Sequence, residues 1–172
     1  MSKSNKLYLE IRKIFTDSEA KLCAKLMSES EPWITLKRDY QRSLELFNNT
    51  NKEGYIAYYK KLFSGFILLD MNGAFAGYIQ SIAVVPELRN QRIGKELLKY
   101  AEKRIFNEMP NVFICVSSFN SEVKNMYLKC GYEIVGELKD FIIQGQSEIL
   151  LRKQICPISD FREEKCLKTI LK

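Results

Sequence analysis

Apolar and polar positions change their period several times along the chain, and each change predicts a new element. Leu7, Leu9 and Ile11 alternate with Tyr8, Glu10 and Arg12, the period of two that turns one face of a strand inward. Thr16-Asp17-Ser18-Glu19 supplies N-cap residues ahead of a helix carrying Leu22, Lys25 and Leu26. The run SESEPW breaks it. Leu36, Tyr40, Leu44 and Phe47 then predict a second helix from Thr35 to about Phe47, ended by Asn48-Asn49. Three β-rich runs follow, GYIAYYK, LFSGFILLDM and AFAGYIQSIAVV, parted by Lys60-Lys61 and by the favoured hairpin pair Asn72-Gly73, and they read as an antiparallel meander.

After Pro86 the period lengthens. Ile93, Leu97, Leu98, Ala101 and Ile105 form an apolar stripe, with Lys95, Glu96, Lys99, Glu102 and Lys103 facing water, in a helix ending near Met109-Pro110. NVFICVSS reads as a buried strand, Asn120 to Lys129 as a helix stopped at Gly131, and YEIVGEL and FIIQGQSEILLRK as two more strands. The order βααβββαβαββ predicts an α/β (α+β) chain: a mixed, mostly antiparallel sheet of about seven strands with helices on both faces, since strand-helix-strand steps need crossovers. Residues 1–153 form one domain. Residues 154–172 form a tail in which Ser159-Asp160 can cap a short helix, while Phe161, Leu167, Ile170 and Leu171 can pack on the core or on a second subunit.

Composition narrows the chemistry. With 172 residues, 46% hydrophobic and 28% charged, the chain can bury a core of its own and lacks a long uncharged apolar run. Neither an apolar signal core nor a small-residue cleavage site marks the N-terminus, so a cytoplasmic location without membrane contact is expected. The chain holds no histidine, which removes the Ser-His and Cys-His pairs that activate most hydrolytic nucleophiles and argues against a metal site. Cys23, Cys115, Cys130, Cys156 and Cys166 are widely spaced with no CxxC pair and read as reduced thiols. The net charge of +6 suits nucleic acid, solubility or a polyanionic small molecule, and the absence of a dense basic block argues against the first.

The segment SIAVVPELRNQRIGKELL carries the strongest chemical signal. A buried strand ending at Ile82, Ala83 and Val84 meets Pro86 and turns into a helix, an arrangement that gathers unpaired N–H groups beside the positive end of the helix dipole. An anion settles there readily. Gly94 allows close backbone approach to a phosphate, and Arg89, Arg92 and Lys95 add positive charge. The bland reading of the same residues is a packing glycine on a solvated basic helix start.

Arg89, Asn90, Gln91, Arg92, Ile93 and Gly94 resemble the acetyl-CoA loop of the GNAT acetyltransferase superfamily, R/Q-x-x-G-x-G/A, with Arg92 standing where the family has its first glycine. NSEVKNMYLKCGYEIVG is similar to the family's asparagine-to-tyrosine helix. The resemblance covers about residues 6 to 152 and implies a GNAT-type fold with direct transfer of acetyl from acetyl-CoA to an amine, without a metal. It implies that Asn120 contacts the CoA arm, that Tyr127 protonates the leaving thiolate, and that an amide near Ile82 or Ala83 polarises the acyl carbonyl at a splay between that strand and the strand near Val116. Asn120 also reads as an N-cap and Tyr127 as a core aromatic. The family's strand glutamate is replaced by Tyr78, so the base is a water chain held by Tyr78, Gln80 or Ser117, or else Glu31. Cys115 as an acyl carrier is an outside reading beside that of a small core residue. Trp33 either lines an acceptor pocket or covers the core. The acceptor is a small-molecule amine or a peptide or protein amine, and the chain a monomer or homodimer. The rival readings are a non-catalytic acyl-CoA sensor and a nucleic-acid-binding domain.

Overall fold

A computed structural model of the chain describes residues 8–162. The strands are β1 (Leu9–Lys13), β2 (Lys52–Tyr59), β3 (Leu62–Asp70), β4 (Tyr78–Val84), β5 (Asn111–Ser117), β6 (Glu133–Lys139) and β7 (Ser147–Gln154). The helices are α1 (Asp17–Ser28), α2 (Tyr40–Phe47), α3 (Ile93–Phe106), α4 (Ser121–Lys129) and α5 (Ile158–Arg162), with a 3-10 turn at Pro86–Leu88. One seven-stranded sheet runs β1-β2-β3-β4-β5-β7-β6, antiparallel at every pairing except the parallel β4–β5. The mixed, mostly antiparallel sheet expected from the sequence is the one found.

Each face of the sheet has its own core. Ile93, Leu97, Leu98, Ala101 and Ile105 of α3, with Tyr127 of α4, pack against Ile67, Leu69, Ile79, Ile114, Val116 and Leu151. On the other face Cys23, Leu26 and Met27 of α1 pack with Trp33, Ile56, Phe66 and Ala83. Each large side chain so enclosed contributes roughly 2 kcal/mol through lost water contact.

The start of α1 follows its sequence signature. Thr16 accepts from the Glu19 amide at 3.3 Å, while the Glu19 carboxylate accepts from the amides of Phe15 and Thr16 and from Arg12 Nη2 at 2.5 Å, tying β1 to the helix. The Arg12 hydrogen bond, ahead of the opposing effect of burial, holds the Glu19 carboxyl down at about 2. A carboxyl depressed on folding stabilises the native state above its unfolded value near 4.5, and that contribution is lost as pH falls toward 2. Because Arg12 is partly exposed, screening leaves on the order of 1 kcal/mol. Urea unfolding between pH 5 and 2 is expected to lose that much less stability in Glu19→Gln than in the parent.

Local expectations fail where backbone chemistry is decided by neighbours. The two-residue turn sits at Lys60-Lys61, both left-handed (φ 51° and 68°), because a tight hairpin must match the twist of its strands. Asn72-Gly73 instead belongs to a wider loop, 71–77, in which Asp70 Oδ1 accepts from the Asn72 amide at 3.0 Å. The second helix begins at Tyr40, not Thr35, because Asp39 caps it by accepting from the Arg42 amide at 2.8 Å; residues 31–37 form turns. Ser159 and Asp160 lie inside α5, whose first turn is set by the Pro157 carbonyl accepting from Asp160 and Phe161. Leu7, Leu167, Ile170 and Leu171 lie outside the described residues. Cys23, Cys115 and Cys130 are free thiols as expected, but Cys156 is disulfide-bonded, which corrects the all-reduced reading; Cys166 lies outside the described residues. Spacing along a chain does not reveal which sulfurs meet in space.

Candidate active site

The sheet opens between β4 and β5. Their parallel pairing is limited to Tyr78 with Phe113 and Ile79 with Ile114, after which the strands diverge. A bulge in β4 lies at the same level: Leu68 pairs with Ser81 and Leu69 with Ile79, leaving Gln80 as the extra residue. The Val85 amide donates to Ser64 on β3 at 2.9 Å, so by strand alternation Ala83 also turns its backbone toward β3. Ile82 and Val84 therefore present their N–H and C=O groups toward the widening gap. Arg89 Nε occupies the Val84 carbonyl at 3.4 Å, and the amides of Ile82 and Val84 remain as open donors, Ile82 nearer the point where the strands part.

The loop below this gap is shaped for an anion. Asn90 (φ 63°) and Arg92 (φ 65°) are both left-handed, which turns successive amides to one side. Arg92 is also the N-cap of α3 and makes no side-chain cap bond; the helix ladder starts only with the Glu96 amide donating to the Arg92 carbonyl at 3.1 Å. The amides of Ile93, Gly94 and Lys95 are thus left for a ligand. Arg89, Asn90, Gln91, Arg92 and Lys95 are exposed around them. The Ile93 side chain belongs to the core, so only its backbone can face a ligand. A Cβ built on Gly94 would meet only Val84 Cγ2, at 3.5 Å, an ordinary contact.

Arg92 occupies a conformation that suits glycine, which explains the residue the family places there. Arg92→Gly is expected to raise stability by about 0.5–1 kcal/mol, read as a higher unfolding midpoint, while keeping the amide that a phosphate would use.

Asn120 caps α4, its Oδ1 accepting from the Val123 amide at 3.4 Å, and shares a helix face with Tyr127 seven residues on. Tyr127 is 2% exposed, with its ring 5.6 Å from that of Tyr132. Its hydroxyl has no hydrogen bond among the described residues and is not among the fully enclosed unpartnered atoms. Burial pushes its pKa up, so it stays protonated at neutral pH.

The face opposite α3 gathers a polar group. Ile79, Ile114, Val116, Ile149 and Leu151 turn toward α3, so Tyr78, Cys115, Ser117 and Glu148 turn the other way. Ser117 Oγ donates to Glu148 Oε1 at 2.5 Å. Burial, then the nearby Cys115 and Glu148, push the Tyr78 phenol up, and burial raises the Cys115 thiol, which disfavours the nucleophilic thiolate. Gln80 Oε1 is buried without a partner. Glu31, exposed, accepts from the Thr35 amide at 3.2 Å and so holds a turn. Trp33 is 8% exposed with its ring 6.2 Å from Phe66, which favours core cover over a pocket wall.

Residues 10–132 match the family model for the acetyltransferase (GNAT) family. The chain belongs to the GNAT family. A GNAT-family protein from Desulfovibrio desulfuricans shares the fold at TM-score 0.73 and 18% identity over 86% of this chain and 99% of that one. An aminoglycoside 6′-N-acetyltransferase complexed with coenzyme A superposes at TM-score 0.69 and 16% identity, covering 86% and 98%. A spermidine N-acetyltransferase from Vibrio cholerae gives 0.68 and 14% identity, covering 91% and 98%.

In this GNAT chain two polar residues of the face opposite α3 escaped sequence reasoning. Glu148 alternates with apolar neighbours on β7 and reads as a solvent-facing residue, yet it is 5% exposed. Arg38, half-buried beside Tyr78, makes no ion pair among the described residues; burial lowers its pKa. No signal in the linear sequence places either one. Among the described residues no group of side chains has the makings of a metal site, and no helix is long and apolar enough to cross a membrane.

Proposed function

We propose that the chain transfers an acetyl group from acetyl-CoA to a primary amine by direct attack. The observation that carries this reading is the divergence of β4 from β5 beside the open Ile82 amide. A pantetheine arm fits that gap as a surrogate strand, with the Ile82 amide donating to the thioester carbonyl and stabilising the oxyanion that forms there. The amides of Asn90 to Lys95 would take the pyrophosphate, with Arg89, Arg92 and Lys95 balancing its charge. Asn120 would meet the arm, and Tyr127 would give its proton to the departing thiolate.

The acceptor enters from the face bearing Tyr78, Gln80 and Ser117, opposite α3. Solved relatives named for aminoglycosides and spermidine support a small-molecule amine over a peptide or protein amine. Glu31 and Trp33 sit in the segment beside this face, Glu31 as the exposed member. The protein works as a monomer or homodimer in the cytoplasm.

Titration calorimetry with acetyl-CoA, with free CoA as competitor, tests the donor site. An amine panel followed by release of CoA thiol tests transfer. Binding without turnover of any amine would establish the sensor reading instead, and failure to bind either CoA species would remove both.

A further inference from the structure

Resting on the acetyl-transfer reading, we infer that Glu148, held in place by Ser117, is the base that takes a proton from the acceptor ammonium. The position on the sheet carries the inference. Continued past Ile114, and allowing for the extra residue Gln80, the parallel register of β4 and β5 brings Val116 to the level of Ile82 and Ser117 one residue beyond, and Glu148 pairs with Ser117 on β7. The carboxylate therefore stands across the opening from the amide that would hold the thioester carbonyl. It faces the side on which Tyr78 and Cys115 also lie. Its Oε1 accepts from Ser117 Oγ at 2.5 Å. Its Oε2 has no partner among the described residues and is not sealed away, so one oxygen is anchored and the other is left for a proton donor.

A carboxylate enclosed to this degree without a cation beside it is costly, and one that a substrate ammonium neutralises recovers that cost. Burial, the larger effect, raises its pKa, and the Ser117 hydrogen bond lowers it in part. A raised value brings the carboxylate closer to the amine in basicity. The titratable groups facing it are Tyr78 from β4 and Cys115 from β5, both kept neutral by burial; Arg38 lies beside Tyr78 on the same face, and the β6 neighbour of Glu148 is Leu138.

The proton balance closes. Glu148 carboxylate takes one proton from R–NH3+, and the freed lone pair forms the C–N bond at the thioester carbon. As the C–S bond breaks, Tyr127 gives its proton to the sulfur and recovers one from the nitrogen of the product. Glu148 returns its proton to solvent, so the products are the amide, CoA thiol and one proton.

The test is a pH–rate profile on an amine that the wild type acetylates. Glu148→Gln keeps the size and the Ser117 contact, and is expected to lower kcat/KM for the amine by about 30–100-fold at pH 7. The loss should shrink at high pH, where free amine is abundant, with acetyl-CoA affinity unchanged by calorimetry. The acid limb set by the carboxyl in the wild-type profile should be replaced in Glu148→Gln by a rise at higher pH that follows the free amine, and should move to higher pH in Ser117→Ala, while Glu148→Asp recovers part of the rate. A wild-type rate, or an acid limb unmoved in both variants, overturns the assignment while leaving acetyl transfer intact. Absence of turnover by the wild type on every amine overturns acetyl transfer and the assignment together.

Discussion

Tyr127→Phe is expected to lower kcat by about a thousandfold, within the span of ~10²–10⁴ typical for a positioned general acid, with little change in acetyl-CoA affinity. The substitution removes one oxygen and keeps the ring that packs on Tyr132 inside the α3 core. The hydroxyl contributes no hydrogen bond to the fold among the described residues, so thermal unfolding should be nearly unaltered. Loss of rate without loss of stability or donor binding is the signature of a proton missing at the thiolate. Stopped-flow measurement of CoA release, with calorimetry on the same samples, checks it, and unchanged turnover would take Tyr127 out of the mechanism.

The largest stability effect is expected at Gly77. It is left-handed (φ 90°), and a Cβ there would lie 2.5 Å from the Asn111 carbonyl oxygen and 2.7 Å from Ile105 Cγ2. Its own carbonyl accepts from the Phe113 amide at 3.0 Å, which ties the start of β4 to β5. Neither the Asn111 backbone nor the packed Ile105 can yield cheaply, so overpacking and backbone strain add. Gly77→Ala should cost about 3–5 kcal/mol, measured as a shift in urea midpoint at constant slope. Gly73→Ala, at an open turn with nothing within 4 Å, serves as the control for left-handed strain alone and should cost about 1 kcal/mol.

Much of the fold was legible because it rests on periodicity. The α3 stripe, the N-cap residues at Thr16 to Glu19 and the order of elements along the chain all follow from side-chain spacing, and the structure reproduces them. What remained hidden depends on pairing between distant segments. Glu148 looks like a solvent residue until β7 is set beside β5 and Ser117 meets it. The lysine turn at 60–61 carries no glycine or asparagine, so its left-handed geometry is imposed by the two strands it joins. The loop at 89–94 is expected from its sequence to take an anion, and only the backbone shows that Arg92 performs the turn for which the family uses glycine.

The bulge at Gln80 confines where β4 can change its length. Upstream of it, Ile79 turns toward α3; downstream, Ala83 turns toward α1 and the Ile82 amide toward the gap. Removing Gln80 alone would restore an even pleat and leave both faces downstream as they are, whereas adding or removing a residue beyond it would exchange those faces and send the wrong amides into the cleft. The neighbouring loop 71–77 can change length without that penalty. Divergence of the protein over time should therefore accumulate insertions and deletions in that loop, while β4 changes length only at the bulge and elsewhere by substitution.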